Sequence, residues 1–312
     1  MYYIKCRKFN LYIYIGIILE ILLLYFLDGK VKAGDHLAYR NYYDYISNGD
    51  YNKFLYVDSR DYIGSLDYLY NNLVFIFSRV IDFDSFTYFI NFIYFFLFAL
   101  LLNNIRMEIL VPILPISFYV VGLQYSAQRL MLAVTVFGIS FLFNKRFLSI
   151  LSLLIHTQIS PLFILYINYI RKHSILILLF IMLCYFGDIN AIPKFLHYAS
   201  TREAVKVNDY LFLILISLMV KFSTTKKIFN DFDLFIIFTI FFCIITILGD
   251  GRINFIVYVL ALFILNLNKN INIKSKIILI IIYTYDVVKG VLFISGIVIG
   301  NTGFESIKFI GN

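Results

Sequence analysis

Tryptophan is absent from the 312-residue chain, and cysteine occurs only as Cys6, Cys184 and Cys243. Three isolated cysteines supply neither a disulfide framework nor a thiolate metal site. Cys184 and Cys243 read most simply as small apolar residues within helices. Charge is scarce as well: Asp, Glu, Lys and Arg make up 15% of the residues, where a soluble domain carries about 25%. There is no Gly-rich phosphate loop, no His-Glu-x-x-His and no nucleophile elbow, which argues against an ATP-driven pump or a zinc protease. No repeat, low-complexity tract or soluble domain stands out.

What fills the chain is apolar: 61% of residues, with a mean hydropathy of +0.84. Several runs are long enough to span a bilayer. In lipid the backbone must satisfy its own hydrogen bonds, so these runs are expected to be helices. A transmembrane barrel would alternate apolar and polar residues in segments of about ten, whereas LFIIFTIFFCIITIL is apolar on every side. The expected fold is therefore all-α, a single polytopic membrane domain over 1–312. Without Trp, Tyr must serve as the interfacial aromatic. The net charge of +8 is spread over short loops, which suits orientation in a membrane better than nucleic-acid binding.

Charge placement predicts a topology. Lys5, Arg7 and Lys8 put the N-terminus in the cytoplasm, and no small-residue cleavage site follows the first apolar run. A first span over 10–27 leads to a long outer loop, 28–66. Residues 67–81 read as an interfacial or re-entrant helix. Spans follow over 85–103, 109–124 and 126–143. Pro161 after Ser160 favours two half-helices over 147–170, each of about 11 residues and about 16 Å. Further spans are predicted over 174–187, 209–222, 234–248, 253–267 and 276–299, with a second outer loop at 188–208. The total is about ten or eleven membrane segments.

This topology gathers ionisable residues at one face. Asp35 lies in the first outer loop, Arg129 near the outer end of its helix, His156 near the half-helix turn, and Arg252 just after GDG. Each has two readings. Arg129 either snorkels to the interface or holds an anionic group, most plausibly phosphate, with its planar fork of donors. His156 either hydrogen-bonds a neighbouring helix or acts as a general base. Asp35 is either a solvated loop residue or N-cap, or an acid beside aromatic rings that holds a sugar. If the residues after Asp35 are helical, Tyr39 and Tyr42 or Tyr43 share its face. Arg252 is either an interfacial anchor or a second cation for a diphosphate. Within the membrane, Asp286 and Lys289 are three apart, a spacing that allows them to pair on a helix face, while Glu20 has no evident partner.

Several stretches together resemble the EpsG family, Wzy-like polysaccharide polymerases of the membrane. They are AGDHLAYRNYYDYI (33–46), SLDYLYNNLVFIFSRV (65–80), YSAQRLMLAVTVFGISFLF (125–143), SILSLLIHTQISPLFIL (149–165) and GRINFIVYVLALFIL (251–265). They cover most of residues 10–265. The family's Arg-Gln order is departed from: Leu130 follows Arg129, and Gln128 precedes it. Asp67 stands where the family often has Glu, and the last 45 residues match nothing in it.

The resemblance implies an enzyme at the outer face of the cytoplasmic membrane. It would join oligosaccharide units carried on undecaprenyl diphosphate, without a cofactor, for O-antigen, capsule or exopolysaccharide; no metal-ligand set is visible in the sequence. It implies Asp35, Arg129 and His156 as catalytic candidates, and Tyr39, Gln128, Arg129 and Arg252 as substrate contacts. Membrane lipid, a flippase and a chain-length regulator are the implied partners. The rivals are a glycan ligase, a flippase for the lipid-linked unit, which would need charge along a whole transmembrane path, and a structural membrane partner without chemistry.

Overall fold

A computed structural model describes residues 10–27, 30, 35–49, 68–143, 145–156, 159, 162–163, 165, 207–223, 238–239, 242, 251–267 and 271–299. Every regular element among them is helical. In chain order these are α1 (Leu11–Leu27), α2 (Asp35–Ser47), α3 (Tyr68–Phe77), α4 (Phe83–Asn104), a 3₁₀ segment (Glu108–Ile116), α5 (Phe118–Ser126), α6 (Gln128–Leu142), α7 (Arg146–Ile155), α8 (Val207–Ser223), α9 (Gly251–Leu267) and α10 (Ile273–Val298). The predicted segments over 174–187 and 234–248 and the loop at 188–208 fall wholly or largely outside the described residues.

Among the described residues, three stretches are long and apolar enough to cross a membrane: α4, the 3₁₀ segment with α5 taken as Glu108–Ser126, and α10. Their surroundings differ. Of the most apolar window, 61% is buried in α4 and 67% in Glu108–Ser126, but 33% in α10. The first two are central and the last is peripheral. α9 is the most enclosed helix: every residue from Phe255 to Leu265 is buried, as an all-round apolar helix requires. α1 and α10 turn Ile18, Leu22, Ile277, Ile281, Val288 and Val291 outward. Exposed aliphatic faces of this length are stable against lipid tails and unfavourable against water. The molecule is a helical membrane protein.

The central run is broken where an unbroken span is expected over 109–124. Pro112 and Pro115 sit inside the 3₁₀ segment. Each lacks the N–H that an α-helical ladder needs. The chain re-forms an α-helix at Phe118, breaks again at Ala127 and resumes as α6. α4 is bounded more conventionally. The Asp82 carboxylate accepts from Ser85 N at 2.7 Å, an N-cap. At the other end Arg106 adopts a φ of 60°, while Arg106 N donates to Asn103 O and Met107 N to Leu102 O. This is a Schellman stop with arginine where glycine is usual.

Helix directions follow from the contacts. A Cβ on Gly138 would touch Leu97, and Gln128 bonds Thr87, so α4 and α6 run parallel. Phe98 stacks on Tyr258, and Asn266 Nδ2 donates to Leu101 O, so α9 runs parallel to both. Asp209 near the start of α8 meets Asn254 near the start of α9. Tyr283 meets Leu110, Asp286 meets Tyr119, and Phe293 meets Phe118, so α10 runs with the Glu108–Ser126 stretch. α1 runs the same way, with Gly16 against Val111 and Glu20 against Gln124. Among these stretches α4, α6, α8 and α9 therefore start at one end of the bundle, and α1, Glu108–Ser126 and α10 finish there.

Candidate functional site

α2 forms a helical cover over that end of the bundle. Its Tyr39, Tyr42, Tyr43 and Ile46 recur at helical spacing and are all buried. Tyr43 Oη donates to Ile81 O at 2.9 Å, and its ring packs against Phe83 and Phe86. Arg40 pairs with Asp84 and lies over the Phe83 ring. Arg79 donates to Ser47 O and Gly49 O, holding the carbonyls at the exit of α2, where a cation is favoured. A segment expected as polar loop is thus a docked amphipathic helix.

Arg129 lies beneath this cover, in the first turn of α6 and half-buried. Its Nε donates to Tyr39 Oη at 3.1 Å, and the guanidinium carbon lies 5.8 Å from the Tyr39 ring centre. Residues 90 apart in sequence are thereby brought together. Gln128, fully buried, is held from both sides: its Nε2 donates to Thr87 Oγ1 at 3.0 Å, and its Oε1 accepts from Tyr70 Oη at 3.3 Å. The Tyr70 ring meets Tyr39 edge-on at 5.9 Å. Gln128 therefore fixes the start of α6 against α3 and α4, and Tyr70 and Tyr39 connect it to Arg129.

The other candidates are placed by backbone register. Phe137 and Phe141 of α6 both pack on Phe263 of α9. Arg252 lies about 16 Å back along α9 from Phe263, and Arg129 about 12–18 Å back along α6 from the two phenylalanines, at 1.5 Å per residue. The Arg252 backbone is thus level with Arg129. α7 folds back along α6. His156, its half-buried C-cap residue, returns to within about one turn of the Arg129 level. Asp35 is the first residue of α2, one turn before Tyr39.

One residue was not anticipated. His36, beside Asp35, is buried between Phe83 at 5.2 Å and Tyr125 at 5.6 Å. Burial, assisted by the Arg40 charge, pushes its pKa down to about 4. It is therefore a neutral imidazole at physiological pH. The signal available was its spacing of three from Tyr39 on one helix face. Burial also raises the Tyr42 phenol, opposed by the Arg129 charge, and lifts Tyr43 to about 12, with Asp82 and Asp44 adding to the effect. Tyr42 and Tyr43 therefore stay protonated phenols.

The remaining intramembrane charges have structural employment. Asp286 and Lys289 do not pair. Asp286 accepts from Tyr119 N at 3.0 Å at the N-terminus of α5, where a carboxylate satisfies otherwise orphaned amides. Lys289 lies over the Tyr285 ring at 4.6 Å. Glu20, fully buried, accepts from Gln124 Nε2. Among the described residues, no group of three or more His, Cys, Asp or Glu is placed to hold a metal ion. No family model, curated protein or solved structure matches this chain.

Proposed function

We propose that this protein is a polysaccharide polymerase that joins polyprenyl-diphosphate-linked oligosaccharide units at the outer face of the cytoplasmic membrane. Its kinship would be with the EpsG group of Wzy-like enzymes. The observation that carries this reading is the hydrogen bond from Arg129 Nε to Tyr39 Oη beneath α2. It puts a guanidinium, orientable by a phenol, at the mouth of a helical membrane bundle, next to a ring surface.

In the proposed reaction an acceptor hydroxyl attacks the anomeric carbon of the donor sugar. The bond from that carbon to the diphosphate oxygen breaks, and its electron pair leaves with the diphosphate. Arg129, joined by Arg252 from the level start of α9, would stabilise the charge gathering on the phosphate oxygens in a site of low dielectric. The proton of the acceptor hydroxyl passes to a base, His156 or Asp35. Tyr39 orients Arg129 and offers its face to a sugar. The donor is already activated, so the reaction needs no nucleotide and no cofactor.

The proposed topology has the N-terminus in the cytoplasm and ten or eleven segments. The parallel course of α4, α6, α8 and α9, opposed by α1, Glu108–Ser126 and α10, supports it, because those are the directions that alternating spans require. A flippase, the main rival, needs charge along a whole transmembrane path. Glu20, Asp286 and Lys289, the intramembrane charges such a path would use, are engaged by Gln124, by the Tyr119 amide and by the Tyr285 ring.

The test is glycan chain length in a strain lacking the protein, complemented with the wild type or with Arg129→Ala. Single lipid-linked units accumulating on the outer leaflet in both defective strains are the expected result. Units retained on the inner leaflet would establish the flippase instead. Long chains persisting with Arg129→Ala would make Arg129 an interfacial anchor.

A further inference from the structure

Three fully buried polar side chains come from three different elements: Glu20 of α1, Asn91 of α4 and Gln124 of α5. Gln124 Nε2 donates to Glu20 Oε1. Helix register brings Asn91 to the same place. A Cβ on Gly16 would lie 3.2 Å from the Phe95 ring, and Leu24 and Leu27 share a cluster with Tyr88, so α1 and α4 are antiparallel. Glu20 is one turn beyond Gly16 on the same face, and Asn91 is one turn before Phe95 on the same face. Where Gly16 meets Phe95, Glu20 therefore faces Asn91.

The hydrogen bonding of this group is incomplete. Glu20 Oε2, Gln124 Oε1 and both amide atoms of Asn91 make no hydrogen bond within the protein. A native interior rarely leaves one such atom unsatisfied, and several at one spot call for a bound species. No Lys, Arg or His among the described residues pairs with Glu20. An ionised carboxylate cannot stay in hydrocarbon without a counter-charge. The atoms facing the spot include three oxygens, one of them from a carboxyl group. Hard oxygens of this kind suit a small hard cation. Nearby the chain is interrupted at Ala127, and broken membrane helices are where such cations are held in transport proteins.

We propose that Glu20, Asn91 and Gln124 form an intramembrane site for one sodium ion. The ion supplies the missing counter-charge and ties α1 to α4 and α5 behind the candidate site. Glu20 Oε2, Asn91 Oδ1 and Gln124 Oε1 are its protein ligands. This assignment is independent of the polymerase reading, since it concerns only what the bundle binds.

The experiment uses the full-length protein in lipid nanodiscs. Its melting temperature is followed as NaCl replaces choline chloride at constant ionic strength, and ²²Na⁺ binding is measured alongside. A saturable rise in melting temperature, with saturable ²²Na⁺ binding, is expected for the wild type. Glu20→Gln, which keeps the shape and removes the charge, is expected to abolish both. Asn91→Ala is expected to raise the half-saturating concentration about tenfold, the loss of one ligand worth about 1.4 kcal/mol, and it serves as the probe if Glu20→Gln does not fold. Absence of any saturable sodium effect in the wild type overturns the proposal. So does stability that follows pH but not sodium, because Glu20 would then be carried as a neutral acid. Sodium binding unchanged in both variants overturns it as well. None of these outcomes bears on glycan chain length.

Discussion

At the scale of single residues, the site depends on which groups are held in place. Tyr39→Phe keeps the ring that packs on Tyr70 and removes the hydroxyl that orients Arg129. A hydrogen bond to a charged group is worth about 1.5–3 kcal/mol, so polymer output is expected to fall roughly ten- to a hundredfold while the protein remains folded. Glycan length profiles and melting curves of the same membranes check this; unchanged output would show that Tyr39 does not orient Arg129. His36 carries a pH prediction. Its folded pKa, about 4, lies below the unfolded value of about 6.5. Above pH 6.5 neither state binds the proton, and the contribution of the buried neutral ring is fully present. As pH falls from 6.5 towards 4, the unfolded chain takes up a proton that the folded protein refuses. Stability then declines by up to about 1.4 kcal/mol per pH unit. Melting temperatures between pH 4.5 and 7.5 should show this slope, and His36→Phe should reduce it.

Single helices and their junctions are the next scale. α10 can cross the joint between the 3₁₀ segment and α5 only because residue 290 has no side chain. A Cβ there would stand 1.8 Å from Ile116 O and 2.8 Å from Phe118 N, which are backbone atoms that cannot turn aside. A Cβ on Gly138 meets only the end of Leu97, at 2.5 Å and beyond, and a leucine tip can change rotamer. Gly290→Ala is therefore expected to destabilise by about 3 kcal/mol or more, and Gly138→Ala by about 1 kcal/mol. Thermal unfolding in detergent ranks the two, and equal effects would refute the close-approach argument. The same joint shows what sequence periodicity misses. Residues 109–124 are uniformly apolar and read as a span, yet Pro112 and Pro115 divide the run into a 3₁₀ piece and a short helix. The prolines were visible. That Asp286, remote in sequence, would cap the re-started helix was not, because helix spacing relates a residue only to its own turns. Spacing favoured Lys289 as the partner of Asp286. The fold pairs them differently: the Tyr119 amide at the start of α5 takes Asp286 as its acceptor, and the ammonium of Lys289 lies over the half-buried ring of Tyr285.

For the whole molecule, the alternating directions make a prediction about sidedness. Asn48 follows α2, while Lys274 opens α10 at the opposite end of the bundle; both are exposed. In a variant with Cys6, Cys184 and Cys243 replaced, Asn48→Cys is expected to react with a membrane-impermeant maleimide added to intact cells. Lys274→Cys is expected to react only after permeabilisation. Labelling of both from one side would overturn the proposed topology.

The helical class and the membrane character were legible in the chain, and the tyrosine spacing offered a helix over 35–47 as a conditional alternative to the polar loop. Each follows from local quantities: the length of an apolar run, the spacing of tyrosines, the scarcity of charge. Tertiary structure alone decided that Tyr39 reaches Arg129, that His36 is buried neutral, that Glu20 meets Gln124 and that Asp286 serves α5. Those pairings join residues 90, 104 and 167 positions apart. The physical reason is that lipid-facing and protein-facing sides of such helices are both apolar, so hydropathy carries no record of which faces meet. That information lies in shape: in the glycines that admit a neighbour's backbone, and in the few buried polar groups that must find one another.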